Sequence, residues 1–292
     1  MAEHNPVHYV VNALGLNGFF ARFGSNTFLR KFVPGNLFFK NPTRIEVKRM
    51  GVSFRLNIHD YMQWHIWTGV PEIHYKLAAR LSEPGDLIID CGANVGGFSL
   101  PLAVLLKEKL NAEFTIASLE PVPETRKHLD GHVTLNGFEK KILVFPLGLG
   151  AREETKKMLY SETHSGAAHF SEKGNVPITV VPGDVFCKSN FPGKRIGFIK
   201  IDVEGFEPAV LEGFNETISA SKPALYFEYS PSWWEKNGYR TQEVLSELEQ
   251  KGYIFFGVSS GRISGPHQTY SLGSGQMDVL ALMPEKAKGL RI

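Results

Sequence analysis

Asp86–Ser99, DLIIDCGANVGGFS, constrains the fold of this 292-residue chain more than any other stretch. Leu87, Ile88 and Ile89 are consecutive apolar residues without helical spacing, which predicts a short parallel strand buried on both faces. Asp90 closes that strand. Gly92, Gly96 and Gly97 then let the backbone turn tightly and approach a ligand, because glycine has no Cβ. From Phe98 the run FSLPLAVLLKEKL has a helical pattern. A helix N-terminus directly after a glycine-rich turn offers unpaired N–H groups and the positive end of a dipole. The segment therefore reads as a nucleotide-like cofactor site, the alternative being a glycine-rich turn with no ligand.

Two common versions of such a site do not fit. The dinucleotide pattern G-x-G-x-x-G needs glycine where this chain has Asn94. The phosphate-binding loop G-x-x-x-x-G-K-[ST] matches Gly92–Ser99 except that Phe98 replaces the lysine. A glycine-rich loop with an acid at the strand end and no phosphate-binding cation suits a cofactor without phosphate. S-adenosylmethionine is the commonest of these.

A hydrophobic fraction of 42% argues for a folded core and against disorder. The net charge of +2 gives no general nucleic-acid surface, so no nucleic-acid partner is expected. The charge is uneven: residues 1–60 carry eight Lys/Arg against Glu3, Glu46 and Asp60, an excess of five that leaves −3 for the remainder. Residues 7–33 mix these cations with Phe19, Phe20, Phe23, Phe28 and Phe32. A helical cap packed on the main domain is expected there, with membrane association as the weaker alternative. Two cysteines, Cys91 and Cys187, form no disulfide framework. With no bilayer-spanning run or signal-peptide pattern, a cytoplasmic protein is expected.

RIEVKRMGVSFRLNI (Arg44–Ile58) predicts a hairpin about Met50-Gly51. Asp60–Asp86 predicts an aromatic helix, a break at Gly69–Pro71 and an amphipathic helix ending near Ser82. Strands and helices then alternate, the signature of a parallel sheet with crossovers. Strands are expected at Phe114–Glu120, Ile142–Leu147, Ile196–Val203, Ala224–Tyr229, Tyr253–Val258 and Asp278–Met283, with a short extended piece at Ile178–Val181. The expected architecture is α/β: a seven-stranded sheet with late antiparallel pairing. An N-terminal helical and hairpin extension covers residues 1–59, and the main domain residues 60–292.

Ligands gather outside the carboxyl ends of the strands in such a sheet. Asp90, Glu120, Asp202 with Glu204, and Glu228 all fall at or near strand ends. Glu120 follows Gly97 by 23 positions, close to the spacing at which an acid reaches ribose hydroxyls. In IKIDVEG, period two places Lys200, Asp202 and Glu204 on one side of the strand. Unpaired burial of three charges would be costly, so mutual pairing or exposure at a cleft mouth is expected.

DCGANVGGFS, LEPVPE, TLNGF, FIKIDVEGFEPAVLEGF and PALYFEYSP, in this order and spacing, resemble the FkbM family of S-adenosylmethionine-dependent methyltransferases. The resemblance runs from about Asp60 to Pro231 and departs at VFPLGLGAREE, where Pro146 and Ala151 flank Leu147–Gly150. It implies a class I methyltransferase, Rossmann-like fold and methylation of a hydroxyl on a sugar, glycan or natural product. It also implies that Asp90, Gly92, Asn94 and Gly96 surround the methionine and ribose, that Glu120 holds the ribose, and that Asp202 lies where the methyl is delivered.

A hydroxyl acceptor gains from a general base as the new bond forms. Asp202 is the first candidate, then Glu204 and Glu228, with His164 and His169 as rival imidazole bases. Trp233 and Trp234 either stack on a sugar face or fill a lid. A divalent ion on Asp202, Glu204 and Glu228 is considered, since hard oxygen donors suit Mg²⁺, but no metal is expected. The rival functions are a cofactor-binding protein without catalysis and an NAD-linked oxidoreductase.

Overall fold

The computed structural model describes residues 33–40, 42–69, 73–110, 113–259, 262–267, 272–273 and 275–288. The basic aromatic segment up to Phe32 lies outside the described residues. An antiparallel hairpin, β1 (Arg44–Arg49) and β2 (Val52–Asn57), comes first, turning at Met50-Gly51 as its sequence predicts. The aromatic helix Tyr61–Thr68 follows, ended by Gly69 in the left-handed region (φ 77°). The amphipathic helix His74–Leu81 then leads into the main sheet.

That sheet takes β3 (Leu87–Cys91), β4 (Thr115–Leu119) and β5 (Ile142–Phe145) outward in parallel. The chain next builds a separate four-stranded sheet from β6 (Gly148–Gly150), β7 (Glu154–Leu159), β8 (His169–Phe170) and β9 (Val176–Pro182). It returns as β10 (Ile196–Ile201) on the other side of β3, followed by β11 (Ala224–Tyr229), β12 (Ile254–Ser259), β13 (Arg262–His267) and β14 (Met277–Leu282). The order across the main sheet is β13-β12-β14-β11-β10-β3-β4-β5, with β14 antiparallel to β11 and β12. The seven expected strands are present, and β13 adds an eighth at the edge. The extended piece at Ile178–Val181 belongs to the second sheet, which the sequence reading did not resolve as a sheet.

The order reverses at β3, so a crevice opens at the carboxyl ends of β3 and β10. Helices cover both faces, and alternate strand residues enter different cores. Ile88 and Phe198 pack with the hairpin and the helices His74–Leu81 and Ser99–Lys109. Leu87, Ile89, Ile199 and Ile201 pack with Phe186, Phe214 and Trp234. Cys91 and Cys187 are buried free thiols of the second core, and burial pushes both pKa values up, that of Cys187 to about 12. His74 is partly buried and stacks on Phe98 at 5.2 Å, and burial, helped by Lys200, lowers its pKa to about 3. Among the described residues no helix is long and apolar enough to cross a membrane.

Candidate functional site

The chain turns immediately after β3. Gly92 has φ 76°, and a Cβ there would lie 2.0 Å from the backbone oxygen of Asp202. Only glycine lets the two loops meet so closely. Asn94 is also left-handed (φ 49°), with its side-chain oxygen accepting the Val95 N–H at 2.8 Å. Short side chains that bond their own backbone tolerate that conformation. The Asn94 N–H donates to Glu120 Oε2 and the Val122 N–H to Glu120 Oε1, both at 2.9 Å. Glu120 is 5% exposed, and burial pushes its pKa up to about 7 against those donors.

Lys200, on β10, is the cation behind the site. Its Nζ lies 3.2 Å from Asp90 Oδ1 and 3.4 Å from Asp202 Oδ2, and it donates to the Gly92 carbonyl at 2.9 Å. Burial disfavours the ammonium, yet Asp90 and Asp202 together hold its pKa above the ordinary lysine value. β10 ends at Ile201, so Glu204 does not continue the strand alternation; it sits at φ 54° on the following turn. This corrects the period-two placement of Lys200, Asp202 and Glu204 on one strand face. Burial first, then Asp202 and Glu228, pushes the Glu204 pKa up to about 8. Burial and Asp202 push Glu228 up to about 7, and Gln276 Nε2 donates to its carboxylate. Asp278, facing Glu228 across the β11–β14 pair, is pushed up to about 6 by burial.

Above these groups lies a cleft of about 840 Å³ measured out to its mouth. Its floor is Gly92, Asn94, Glu120, Asp202 and Glu204, and its walls include Leu119, Leu147 and Ile178. Residues 158–170 form the roof through Met158, Ser165, Gly166 and Phe170. The roof is tied down where Asp60 accepts both the N–H and the Oγ–H of Ser165 at 2.8 Å. A Cβ at Gly166 would come 2.4 Å from Met62, so the roof sits directly on the helix Tyr61–Thr68. Among the described residues no Lys or Arg lines the cleft, whereas three carboxylates do.

The structure brings Gly92, Asn94, Glu120, Asp202 and Glu204 together and places the other predicted site residues outside the cleft lining. Asp90 is fully buried one layer behind, accepting from Ser99 Oγ at 2.6 Å. Gly96 (φ 94°) serves packing, since a Cβ there would meet Leu100 and Leu129. Glu228 lies outside the lining, near enough to Asp202 that the Asp202 charge raises its pKa. His164 is exposed and stacks on Tyr61 at 4.7 Å, while His169 turns its edge to Trp233 at 5.4 Å. Trp234 is wholly buried, its indole N–H donating to Glu207 Oε2 at 2.9 Å, and Trp233 is half-buried under Lys236. Among the described residues no group of three or more His, Cys, Asp or Glu side chains is arranged to hold a metal ion. Sequence reasoning missed the Asp60–Ser165 tie and the acids Asp278 and Glu207. Ser165 is remote in sequence from Asp60, Glu228 from Asp278 and Trp234 from Glu207. The local amides of Val203 and Gly205 nonetheless made an acid directly after Gly205-Phe206 a readable signal.

A methyltransferase FkbM domain model matches residues 90–255, more than half of the chain. Methyltransferase FkbM from Methylobacillus flagellatus KT is similar at 20% identity and TM-score 0.42, over 68% of this chain and 43% of that one. The chain thus spans under half the length of that relative. TYW2 from M. jannaschii, solved in complex with AdoMet, is similar at 12% identity and TM-score 0.40, over 83% of this chain and 86% of that one. Precorrin-6y C5,15-methyltransferase from Geobacter metallireducens GS-15 follows at 10% identity and TM-score 0.39, over 72% and 86%. No curated protein matches the chain. The domain match begins on Asp90 and runs into β12, so it contains the glycine turn and every carboxylate on the cleft floor, and by that match the chain belongs to the methyltransferase FkbM family.

Proposed function

We propose that the protein is an S-adenosylmethionine-dependent O-methyltransferase acting on a hydroxyl of a sugar, glycan or natural-product acceptor. The observation that carries the cofactor assignment is the cleft floor: three carboxylates and, among the described residues, no lining Lys or Arg. Such a floor offers no cation to hold a pyrophosphate, and its carboxyl oxygens can accept the hydroxyls of a ribose diol, which suits a nucleoside cofactor without phosphate. S-adenosylmethionine supplies an electrophilic methyl group when bound. Glu120 accepts the ribose hydroxyls, and Gly92 and Asn94 hold the methionine side. Lys200 keeps Asp202 oriented across the opening. Asp202 takes the proton from the acceptor hydroxyl as that oxygen bonds to carbon, with Glu204 and Glu228 next in line. Much of the rate comes from holding the two reactants in register. The hydroxyl-acceptor assignment rests on family membership, and the protein is taken to work in the cytoplasm without a metal or a nucleic-acid partner.

Calorimetry with S-adenosylmethionine, S-adenosylhomocysteine and NAD tests the cofactor, and tight NAD binding would sink it. Transfer of a labelled methyl group to a panel of glycans and small alcohols tests the reaction. Binding of S-adenosylmethionine with no transfer to any hydroxyl would favour a non-catalytic binding protein instead.

A further inference from the structure

Glu207 is the acid of the IDVEGFEP stretch that faces no opening. It is fully buried at the start of the helix Glu207–Gly213, and its carboxylate is used in three directions. Oε1 accepts the backbone N–H of Val203 at 3.0 Å and of Gly205 at 3.2 Å, and Oε2 accepts Trp234 Nε1–H at 2.9 Å. The two amides flank Glu204, whose left-handed φ of 54° persists in a non-glycine residue only when its surroundings impose it. The next element closes the cage. Asn237 Nδ2 donates to the Gly205 carbonyl at 2.9 Å, and a Cβ on Gly205 would lie 2.9 Å from Cβ of Trp233. The turn carrying two of the cleft carboxylates therefore hangs on one buried acid, and that acid is held in turn by the helix Pro231–Lys236.

We propose that Glu207 is the positioning residue of the Asp202–Gly205 turn, coupling it through the Trp234 indole to the helix Pro231–Lys236. This rests on the reading of Asp202 and Glu204 as the acids at the methyl-transfer centre. A carboxylate accepting three N–H groups fixes geometry strongly because charge-assisted hydrogen bonds are short and directional.

The test uses Glu207→Gln, Trp234→Phe and the double variant of the full chain. Glutamine keeps one oxygen for the two backbone amides but turns an N–H toward the indole N–H, and Trp234→Phe removes that conflict. Amide exchange followed by NMR should quicken by about tenfold or more at Val203 and Gly205 in Glu207→Gln, with Ile88 and Ile199 unchanged. S-adenosylhomocysteine affinity, read by calorimetry, should stay within about threefold. On a panel acceptor, kcat should fall by about tenfold or more at constant acceptor KM, and the double variant should recover both exchange protection and rate. Unchanged exchange at the two amides, faster exchange with unchanged kcat, loss of S-adenosylhomocysteine binding, or a double variant no better than Glu207→Gln would each overturn the assignment. If the wild type methylates no panel acceptor, the hydroxyl-transfer reading fails, and the exchange data with their rescue decide the role of Glu207 alone.

Discussion

Glu120 shows how much one side chain's surroundings alter its chemistry. A strand-end acid in water is ionised at neutral pH, but burial pushes this one up to about 7. Only the carboxylate accepts both ribose hydroxyls, so the ionised fraction and the affinity rise together as pH rises through about 7. S-adenosylhomocysteine should therefore bind more tightly at about pH 8 than at about pH 6, and Glu120→Gln should bind about 10- to 100-fold more weakly with no such dependence. A wild-type affinity that is flat across this range on calorimetry would refute the ribose role. Asp202→Ala should leave S-adenosylhomocysteine binding intact and cut methyl transfer by about 10²–10⁴-fold, the range of a lost general base. Full turnover by Asp202→Ala, with loss in Glu204→Gln, would move the base to Glu204. The position of Glu120 was legible from its spacing to the glycine turn. That its Oε2 also holds the Asn94 amide was not, because that bond depends on how β3 and β4 are registered.

At the scale of elements, the glycine turn and the turn after β10 form one unit. The close approach of Gly92 to the Asp202 carbonyl leaves no room for a methyl group, and its φ is unfavourable for any other residue. Gly92→Ala should cost about 1–3 kcal/mol in strain alone, lowering Tm by several degrees and weakening cofactor binding together. A melt and a titration both matching wild type would show that the two turns can part freely. Gly131 is the useful contrast. It sits in the helix Pro123–Leu135, exposed, with nothing within 4 Å of an added Cβ. Gly131→Ala should stabilise the fold by about 0.5–1 kcal/mol in denaturant melts, since it trades backbone entropy for helix propensity.

Across the whole molecule, buried titratable groups set how stability varies with pH. Glu204, Glu228, Glu120 and Asp278 have folded pKa values raised to about 8, 7, 7 and 6. Between their ordinary values and these, the folded protein binds more protons than the unfolded chain, so stability falls as pH rises. His74 is opposite in sign: with a folded pKa of about 3 it favours the unfolded chain below its ordinary value of 6.5. The two effects oppose one another in mild acid, and above about pH 6.5 the carboxyls act alone. Tm should fall between about pH 6.5 and about pH 8, and Glu204→Gln should flatten that slope. A wild-type Tm that climbs over this interval would contradict the buried-acid account.

Local pattern carried the strand–turn–helix at Asp86–Ser99, the alternation that makes a parallel sheet, the hairpin at Arg44–Ile58 and most of the strand-end acids. Apolar runs and glycines report backbone geometry within a few residues of themselves, so they can be read without knowing the fold. The second sheet escaped because β7 is polar and half-exposed and its partners come from residues 169–182. Glu120, Asp202 and Glu204 share the cleft as their strand-end positions predict, but the exclusion of Asp90 and Glu228 from its lining escaped. Alternation predicts direction along a strand, but β10 stops at Ile201, and beyond it contact takes over. Lys200 pairs with Asp90 on β3 and with Asp202 just past the end of β10, and Glu207 and Trp234 set the turn that aims Glu204. Periodicity is a property of regular backbone. The chemistry of this cleft is built where the backbone is irregular, by groups that meet only once the sheet has formed.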